Sequence, residues 1–147
     1  MSDEIWKPVP SCPGMVASNL GFIKLPEKTV SLPNGGLRTY QTKPVRGVLC
    51  RASKTARHQY YGVRTRDYGQ KKVHRLVCEA FHGPPPFKGA VVIHLDENAL
   101  NNRSDNLRWG TQKENLNMPG FIEYCRSRVG ENSPRSKHFR KRQRDVE

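Results

Sequence analysis

The clearest apolar pattern in the chain is helical and ends just before a run of three prolines. The positions that recur at helical spacing are Val73, Leu76, Val77, Ala80 and Phe81. Gly83 is placed to end the helix, and the prolines that start at Pro84 prevent its continuation. His74 and His82 stand near its two ends, where a histidine is more often a polar flank or a satisfied core residue than a ligand. The pattern predicts a scaffold helix.

Before this helix, apolar and basic residues alternate in two short segments. The segments "YYGVRTR" and "DYGQKKV" predict two strands joined by a turn at residues 67–69. Strand alternation places Tyr61 and Val63 on one face of the hairpin and Arg64 and Arg66 on the other. One face is therefore expected to be cationic.

After the prolines, the pattern predicts a strand, a long loop, a strand and a helix. The first strand, "GAVVIHLDEN", breaks at residues 96–98, and the asparagine-rich loop leads to a second strand in "LRWGT". Thr111 and Glu114 then have the spacing of a capping box, which predicts a helix start. Residues 119–120, Pro-Gly, interrupt this helix before it resumes in "FIEYCRSRV".

Composition indicates a small core with much irregular structure. The chain has 147 residues, of which 35% are hydrophobic, with 11 prolines and 12 glycines. Such a chain forms one domain, or two very small units that share a core. The cysteines are Cys12, Cys50, Cys78 and Cys125. They lack the paired spacing of zinc ligands and are expected to be free thiols.

The net charge narrows the class of partner. The formal charge is +13, and the isoelectric point is about 10.0. Such an excess attracts polyanions, and nucleic acid is the leading candidate. A membrane partner is not expected, because no apolar run approaches the length of a membrane span and no basic amphipathic helix is evident. The N-terminus lacks the pattern of a signal peptide, so a cytoplasmic protein is expected.

The basic residues are concentrated on either side of a neutral centre. Residues 1–37 are neutral, residues 38–72 carry ten basic groups against one acidic group, residues 88–118 are balanced, and the segment from Arg126 is basic. This arrangement indicates a central site between segments that hold a nucleic-acid backbone. The candidate DNA contacts are Arg51, Lys54, Arg57, Arg64, Arg66, Lys71, Lys72, Arg75, Arg108 and Lys113.

The neutral centre contains the residues with candidate chemistry. His94 lies near the end of the first strand, Asn106 lies just before the second strand, and Asn115 lies in the first turns of the helix. A strand, strand and helix in this order can bring a histidine and a helical side chain to one place. An imidazole has an ordinary pKa near 6.5, so it can serve as a base at neutral pH.

The stretch "VIHLDENALNNRSDNLRWGTQKEN" resembles the signature of HNH homing endonucleases of phage genomes and introns, in the H-N-N form. The upstream segments "EIWKPVP", "VASNLGFIK" and "VHRLVCEAFHGPPP" are similar to the same family, as is the downstream "VGENSPRSK". The resemblance covers residues 4–25 and 58–137. Residues 26–57 do not align with the family.

The resemblance implies an α+β fold in three parts. Residues 1–72 are expected to form a small antiparallel β region that contacts DNA. Residues 73–130 are expected to form the preceding helix and a ββα-metal nuclease unit. Residues 131–147 are expected to form a basic, disordered tail.

The resemblance also implies roles for the central residues. His94 would deprotonate the attacking water, and Asn106 would orient His94 and its loop. Asn115 would coordinate one divalent ion, Mg²⁺ or Mn²⁺, and Asp96 could contribute from the loop. The partner would be double-stranded DNA, cut as a nick by a monomer with no protein partner.

One departure from the family leaves alternatives open. Ile93 stands before the histidine, where active relatives often carry a metal-binding Asp or another polar residue. The chain could therefore be a DNA-binding remnant of an HNH nuclease with weak or no cleavage. A third interpretation is a basic protein that binds RNA through its arginine-rich segments.

Overall fold

A computed structural model describes residues 3–128 of the chain. The strands are β1 (Trp6–Pro8), β2 (Val16–Ser18), β3 (Ile23–Lys24), β4 (Lys28–Ser31), β5 (Leu37–Tyr40), β6 (Val48–Arg51), β7 (Gln59–Thr65), β8 (Gly69–Lys72), β9 (Val91–His94) and β10 (Leu107–Gly110). The helices are α1 (Val73–His82), α2 (Gln112–Leu116) and α3 (Pro119–Ser127), with a 3₁₀ turn at Ser104–Asn106. The predicted α+β class is confirmed.

The chain divides into two compact units, one ending at Gly110 and the other beginning at Thr111. In the first unit the strands form four small antiparallel sheets. Their orders are β1-β2-β3, β4-β5, β6-β7-β8 and β9-β10. Each sheet is too small to be stable alone, so the unit depends on packing against its helix.

Helix α1 supplies the centre of the first unit's core. The predicted stripe is buried at Val73, Leu76 and Val77 and half-buried at Ala80 and Phe81, and Cys78 is also fully inaccessible. The buried cluster consists of Val9, Cys12, Met15, Ala17, Ile23, Val63, Val73, Leu76, Val77, Cys78 and Leu107. This core therefore contains residues from both sides of residue 72. The domain boundaries predicted at residues 72 and 130 remain predictions.

The hairpin of β7 and β8 follows the predicted alternation. Val63 is 5% exposed and belongs to the core, whereas Arg64 and Arg66 are exposed. Val63 pairs with Lys71, and the turn between the strands lies at residues 66–68. The predicted cationic face is therefore present on the described surface.

Three strands lie in the region that sequence reasoning left without elements. Strands β4 and β5 form an exposed hairpin whose turn is closed by the Leu32 amide, which donates to the Gly36 carbonyl over 2.7 Å. Strand β6 pairs with β7. Gly35, in the hairpin turn, has a φ of +82°, a conformation that glycine adopts without strain.

In the second unit, α2 starts as predicted. The Thr111 hydroxyl accepts from the Glu114 amide over 3.1 Å, and the Glu114 carboxylate accepts from the Thr111 amide over 2.7 Å. Helix α2 ends before the predicted interruption, and α3 begins at Pro119. The predicted basic tail, residues 131–147, lies outside the described residues.

Candidate active site

His94 is the last residue of β9, and its neighbour in β10 is Leu107. Alternation along β9 buries Ile93 completely and leaves the His94 side chain half-buried. The strand ends here because the chain turns into the asparagine-rich loop, where Glu97 has a φ of +59°. His94 is thus held at the end of a paired strand, where the loop begins.

Asp96 organises that loop. Its Oδ1 accepts from the Asn98 amide over 2.9 Å and from Asn106 Nδ2 over 2.8 Å, and its Oδ2 accepts from Asn101 Nδ2 over 2.7 Å. Burial works against the charge of this carboxyl, but the hydrogen bonds from Asn101, Asn98 and Asn106 prevail and lower its pKa. Asp96 is therefore ionised and accepts hydrogen bonds from three asparagines.

Asn106 closes the loop from its far end. Its Oδ1 accepts from the Asp96 amide over 3.0 Å, and its Nδ2 also donates to the Asn101 carbonyl over 2.9 Å. Its own carbonyl accepts from the Leu95 amide over 2.8 Å. These contacts match the predicted bracing of the loop. The side-chain contact to the His94 ring comes from another asparagine.

That asparagine is Asn102, for which the sequence motif predicted no role at the site. Its Oδ1 lies 3.2 Å from His94 Nε2. An amide oxygen can only accept, so this contact assigns the ring proton to Nε2 and leaves the lone pair on Nδ1, while Asn102 Nδ2 is buried with no hydrogen-bond partner among the described residues. Asn102 is 4% exposed. The sequence signal that could have identified it was the Asn101-Asn102 doublet inside the loop.

His74 touches the other side of this site. The centroids of the His74 and His94 rings are 5.3 Å apart with an interplanar angle of 76°, and Tyr60 makes a similar edge contact with His74. His74 is half-buried and not fully satisfied, because its buried Nδ1 has no hydrogen-bond partner among the described residues. His82 is an exposed polar flank of the helix, and its Nε2 lies 2.7 Å from the Ser104 carbonyl.

Both neighbouring histidines are shifted toward the neutral form. Burial, followed by the charges of His94, Lys72 and Arg75, lowers the pKa of His74 to about 3. Burial also lowers the pKa of His94, although the Asn102 hydrogen bond and Asp96 oppose the shift. A neutral His94 at pH 7 has the lone pair that a general base needs.

The predicted metal ligands lie in different units. Asp96 is exposed but its oxygens accept bonds within the loop, whereas Asn115 is half-buried in α2 of the second unit. Within residues 3–128, no group of three or more His, Cys, Asp or Glu side chains could hold a metal ion. Carboxylate and amide oxygens nonetheless suit a hard cation that keeps water molecules and takes phosphate oxygens.

Most predicted DNA contacts are available on the surface. The exposed ones are Arg51, Lys54, Arg57, Arg64, Arg66, Lys72 and Lys113, and Lys71 and Arg108 are half-buried. Arg75 is exposed as well, but its guanidinium lies 5.1 Å from the centre of the Trp109 ring and donates to the Ala90 carbonyl. Arg75 therefore fastens α1 to the strands of the site.

His94, the asparagine-braced loop and β10 all lie within one segment that matches a known family. Residues 71–117 match the family model described as HNH endonuclease. The chain is 32% identical to the uncharacterized HNH endonuclease L247 of Acanthamoeba polyphaga mimivirus. That match covers 77% of this chain and 25% of the relative.

A solved structure gives the same assignment. The chain is similar to a solved structure of DNA binding and cleavage by the HNH homing endonuclease I-HmuI. The TM-score is 0.50, and the sequence identity is 28%. The likeness covers 93% of this chain and 66% of that one. Together these matches place the chain in the HNH homing endonuclease family.

The chain spans about a quarter of the length of the mimivirus relative. Among the described residues, no helix has the length and apolar character needed to cross a membrane.

Proposed function

We propose that the protein is a metal-dependent endonuclease that nicks double-stranded DNA, with His94 as the general base. The observation that supports this most directly is the 3.2 Å contact between His94 Nε2 and Asn102 Oδ1, which assigns the ring proton to Nε2 and leaves the lone pair on Nδ1 for the base. The buried position that lowers the pKa of His94 favours the neutral ring that the reaction needs.

In the proposed reaction, His94 Nδ1 removes a proton from a water molecule. The water oxygen forms a bond to the phosphorus, and the bond from phosphorus to the 3′ oxygen breaks. The 3′ oxygen takes a proton from solvent, which leaves a 5′ phosphate and a 3′ hydroxyl. Asn102 prevents the ring from rotating during this transfer, and Asn106 holds the loop that carries Asn102.

A bound Mg²⁺ or Mn²⁺ would stabilise the negative charge that develops on the phosphate and the leaving oxygen. We propose Asn115 as a ligand on the strength of the sequence motif alone. Asp96 is a weaker candidate because its oxygens already accept three bonds from loop side chains and amides. One metal is expected, with water and phosphate completing its coordination.

A plasmid-nicking assay with Mg²⁺ or Mn²⁺ tests the function. We expect His94→Ala to lower the nicking rate by roughly two to four orders of magnitude, the usual contribution of a general base. Added imidazole should restore part of the activity to His94→Ala, because the small base can occupy the vacated space. Undiminished cleavage by His94→Ala would show that another group is the base.

The second candidate is a DNA-binding protein that retains the nuclease fold with little or no cleavage. Ile93 favours it, because this fully buried alkyl side chain stands where active relatives often carry a metal ligand. The same assay separates the two candidates. DNA binding by the wild type without metal-dependent nicking would support the second one.

We also propose that the partner is duplex DNA bound by a monomer, and that the protein acts in the cytoplasm, that of the host cell if it is phage-encoded. The support for DNA as the partner is the exposed basic face of the β7–β8 hairpin, together with the charge of +13. RNA binding is tested by comparing affinities for duplex DNA and RNA of equal length at matched salt. A clear preference for RNA would overturn this part of the proposal.

A further inference from the structure

We propose that the turn at residues 18–22, an N-terminal "SNLGF" segment distant in sequence, positions His94 through Asn102. The proposal rests on His94 as the general base and gives this turn a role in the cleavage step. The cleavage chemistry proposed above assigns no role to this N-terminal turn.

The turn is a rigid unit with its own hydrogen bonds. The Ser18 side chain is completely buried, and its Oγ accepts from the Leu20 amide over 3.2 Å and the Phe22 amide over 3.1 Å. The Ser18 carbonyl accepts from the Gly21 amide over 3.1 Å, and the Ser18 amide donates to the Phe22 carbonyl over 2.8 Å. A turn closed at both ends in this way resists local movement.

The turn is also fixed to the chain around it. Asn19 Oδ1 accepts from the Ile5 amide over 2.8 Å, and Asn19 Nδ2 donates to the Asp3 carbonyl over 3.1 Å. On the side of the loop, the Asn19 carbonyl accepts from the Ser104 amide over 3.0 Å. The turn therefore connects the residues just before β1 with the segment that carries Asn102.

Gly21 brings the turn directly against Asn102. A Cβ atom added at Gly21 would lie 3.1 Å from the Asn102 Cβ and 3.1 Å from its carbonyl oxygen, closer than most real Cβ contacts. Gly21 also has a φ of +93°, which L side chains rarely adopt. Only glycine allows this approach without displacing the loop.

Asn102 is consequently confined between two surfaces. The Gly21 backbone lies against its Cβ and carbonyl, and the His94 ring lies 3.2 Å from its Oδ1. At 4% exposure it has almost no solvent into which the amide could turn. The distance between His94 and its hydrogen-bond acceptor is thus set by the N-terminal turn.

Single-turnover cleavage at saturating DNA provides the first test. Gly21→Ala should lower the rate roughly tenfold or more, since small displacements of catalytic groups have large kinetic effects. Its DNA dissociation constant should change less than about twofold. Gly89→Ala is the matched control, because Gly89 has a φ of +85° but no heavy atom within 4 Å of an added Cβ. It should cleave like the wild type.

The competing explanation is that the turn contacts DNA itself. A cleft of about 290 Å³ beside it is lined by Arg46 and Arg103. A Gly21→Ala variant that weakened DNA binding and kept the saturated cleavage rate would support direct contact and overturn the positioning role.

A double-mutant cycle tests the route through the amide. Asn102→Ala removes the hydrogen bond to His94, so adding Gly21→Ala to it should produce no further loss of rate. If the two substitutions lowered the cleavage rate independently, so that their effects multiplied, the effect of Gly21 would not act through Asn102.

A spectroscopic measurement separates failure of this proposal from failure of the proposed function. Imidazole ¹⁵N shifts at pH 8 should show His94 protonated at Nε2 in the wild type and in Gly89→Ala. Gly21→Ala should show a mixture of the two tautomers. If the wild type does not cleave DNA, this difference still supports the positioning role, and identical spectra for all three proteins overturn it.

Discussion

Replacing His74 by Phe should flatten the dependence of stability on pH. His74 has a folded pKa of about 3, against an ordinary value of 6.5. Below pH 6.5 the unfolded chain takes up a proton at this position while the folded protein does not. The folded state is therefore destabilised as the pH falls from 6.5 toward 3, and the full stability is present above pH 6.5.

The magnitude follows from that shift. At pH 5 the unfolded imidazole is 1.5 pH units below its ordinary pKa of 6.5, and each unit is worth about 1.4 kcal/mol. Protonation of the unfolded state thus removes about 2 kcal/mol of stability between pH 8 and pH 5. Phe keeps an aromatic ring between Tyr60 and His94 but cannot be protonated, so His74→Phe avoids this loss.

Urea denaturation at several pH values between 5 and 8 measures the effect. The difference in unfolding free energy between His74→Phe and the wild type should shift by about 2 kcal/mol in favour of the variant as the pH falls. Any packing difference between the two side chains is present at every pH and cancels. A difference that stays constant across the range would show that His74 is not held neutral by burial.

Two further substitutions test the metal site and the basic face. Ile93→Asp places a carboxylate at a fully buried position, so it should lower Tm without metal, and excess Mn²⁺ should raise its Tm more than that of the wild type. An equal metal effect in both proteins would show that Ile93 does not replace a ligand. In the double variant Arg64→Ala and Arg66→Ala, the slope of the logarithm of DNA affinity against the logarithm of salt concentration should be shallower by about two, as measured by fluorescence anisotropy. An unchanged slope would exclude phosphate contacts by these residues.

The elements that could be predicted are those whose signals are local. The stripe of α1, the alternation of Val63 and Arg64, and the Thr111–Glu114 capping box each depend on residues within a few positions of one another. Strands β4 and β5 were not predicted, although "LPNGGL" carries the signal of a hairpin turn, because both strands are exposed and lack the apolar alternation of a half-buried strand.

The contacts of the candidate site were harder to predict than its proposed members. The motif predicted His94, Asn106 and Asn115, with Asp96 as a possible contributor, and the structure joins Asn106 and Asp96 in one hydrogen-bond network while Asn115 lies in the second unit. The contacts of Asn102 and His74 depend on tertiary packing, which brings a loop residue and a helix residue against the same His94 ring. No spacing rule predicts such contacts.

The core that joins Val9, Met15 and Leu107 has a consequence for how this nuclease unit can be recombined. A fragment limited to the matched family region, residues 71–117, would leave the apolar stripe of α1 without the N-terminal residues that cover it. Such a fragment would expose that surface and aggregate. A recombination event that transfers this folded unit to another protein must therefore transfer the N-terminal strands together with it.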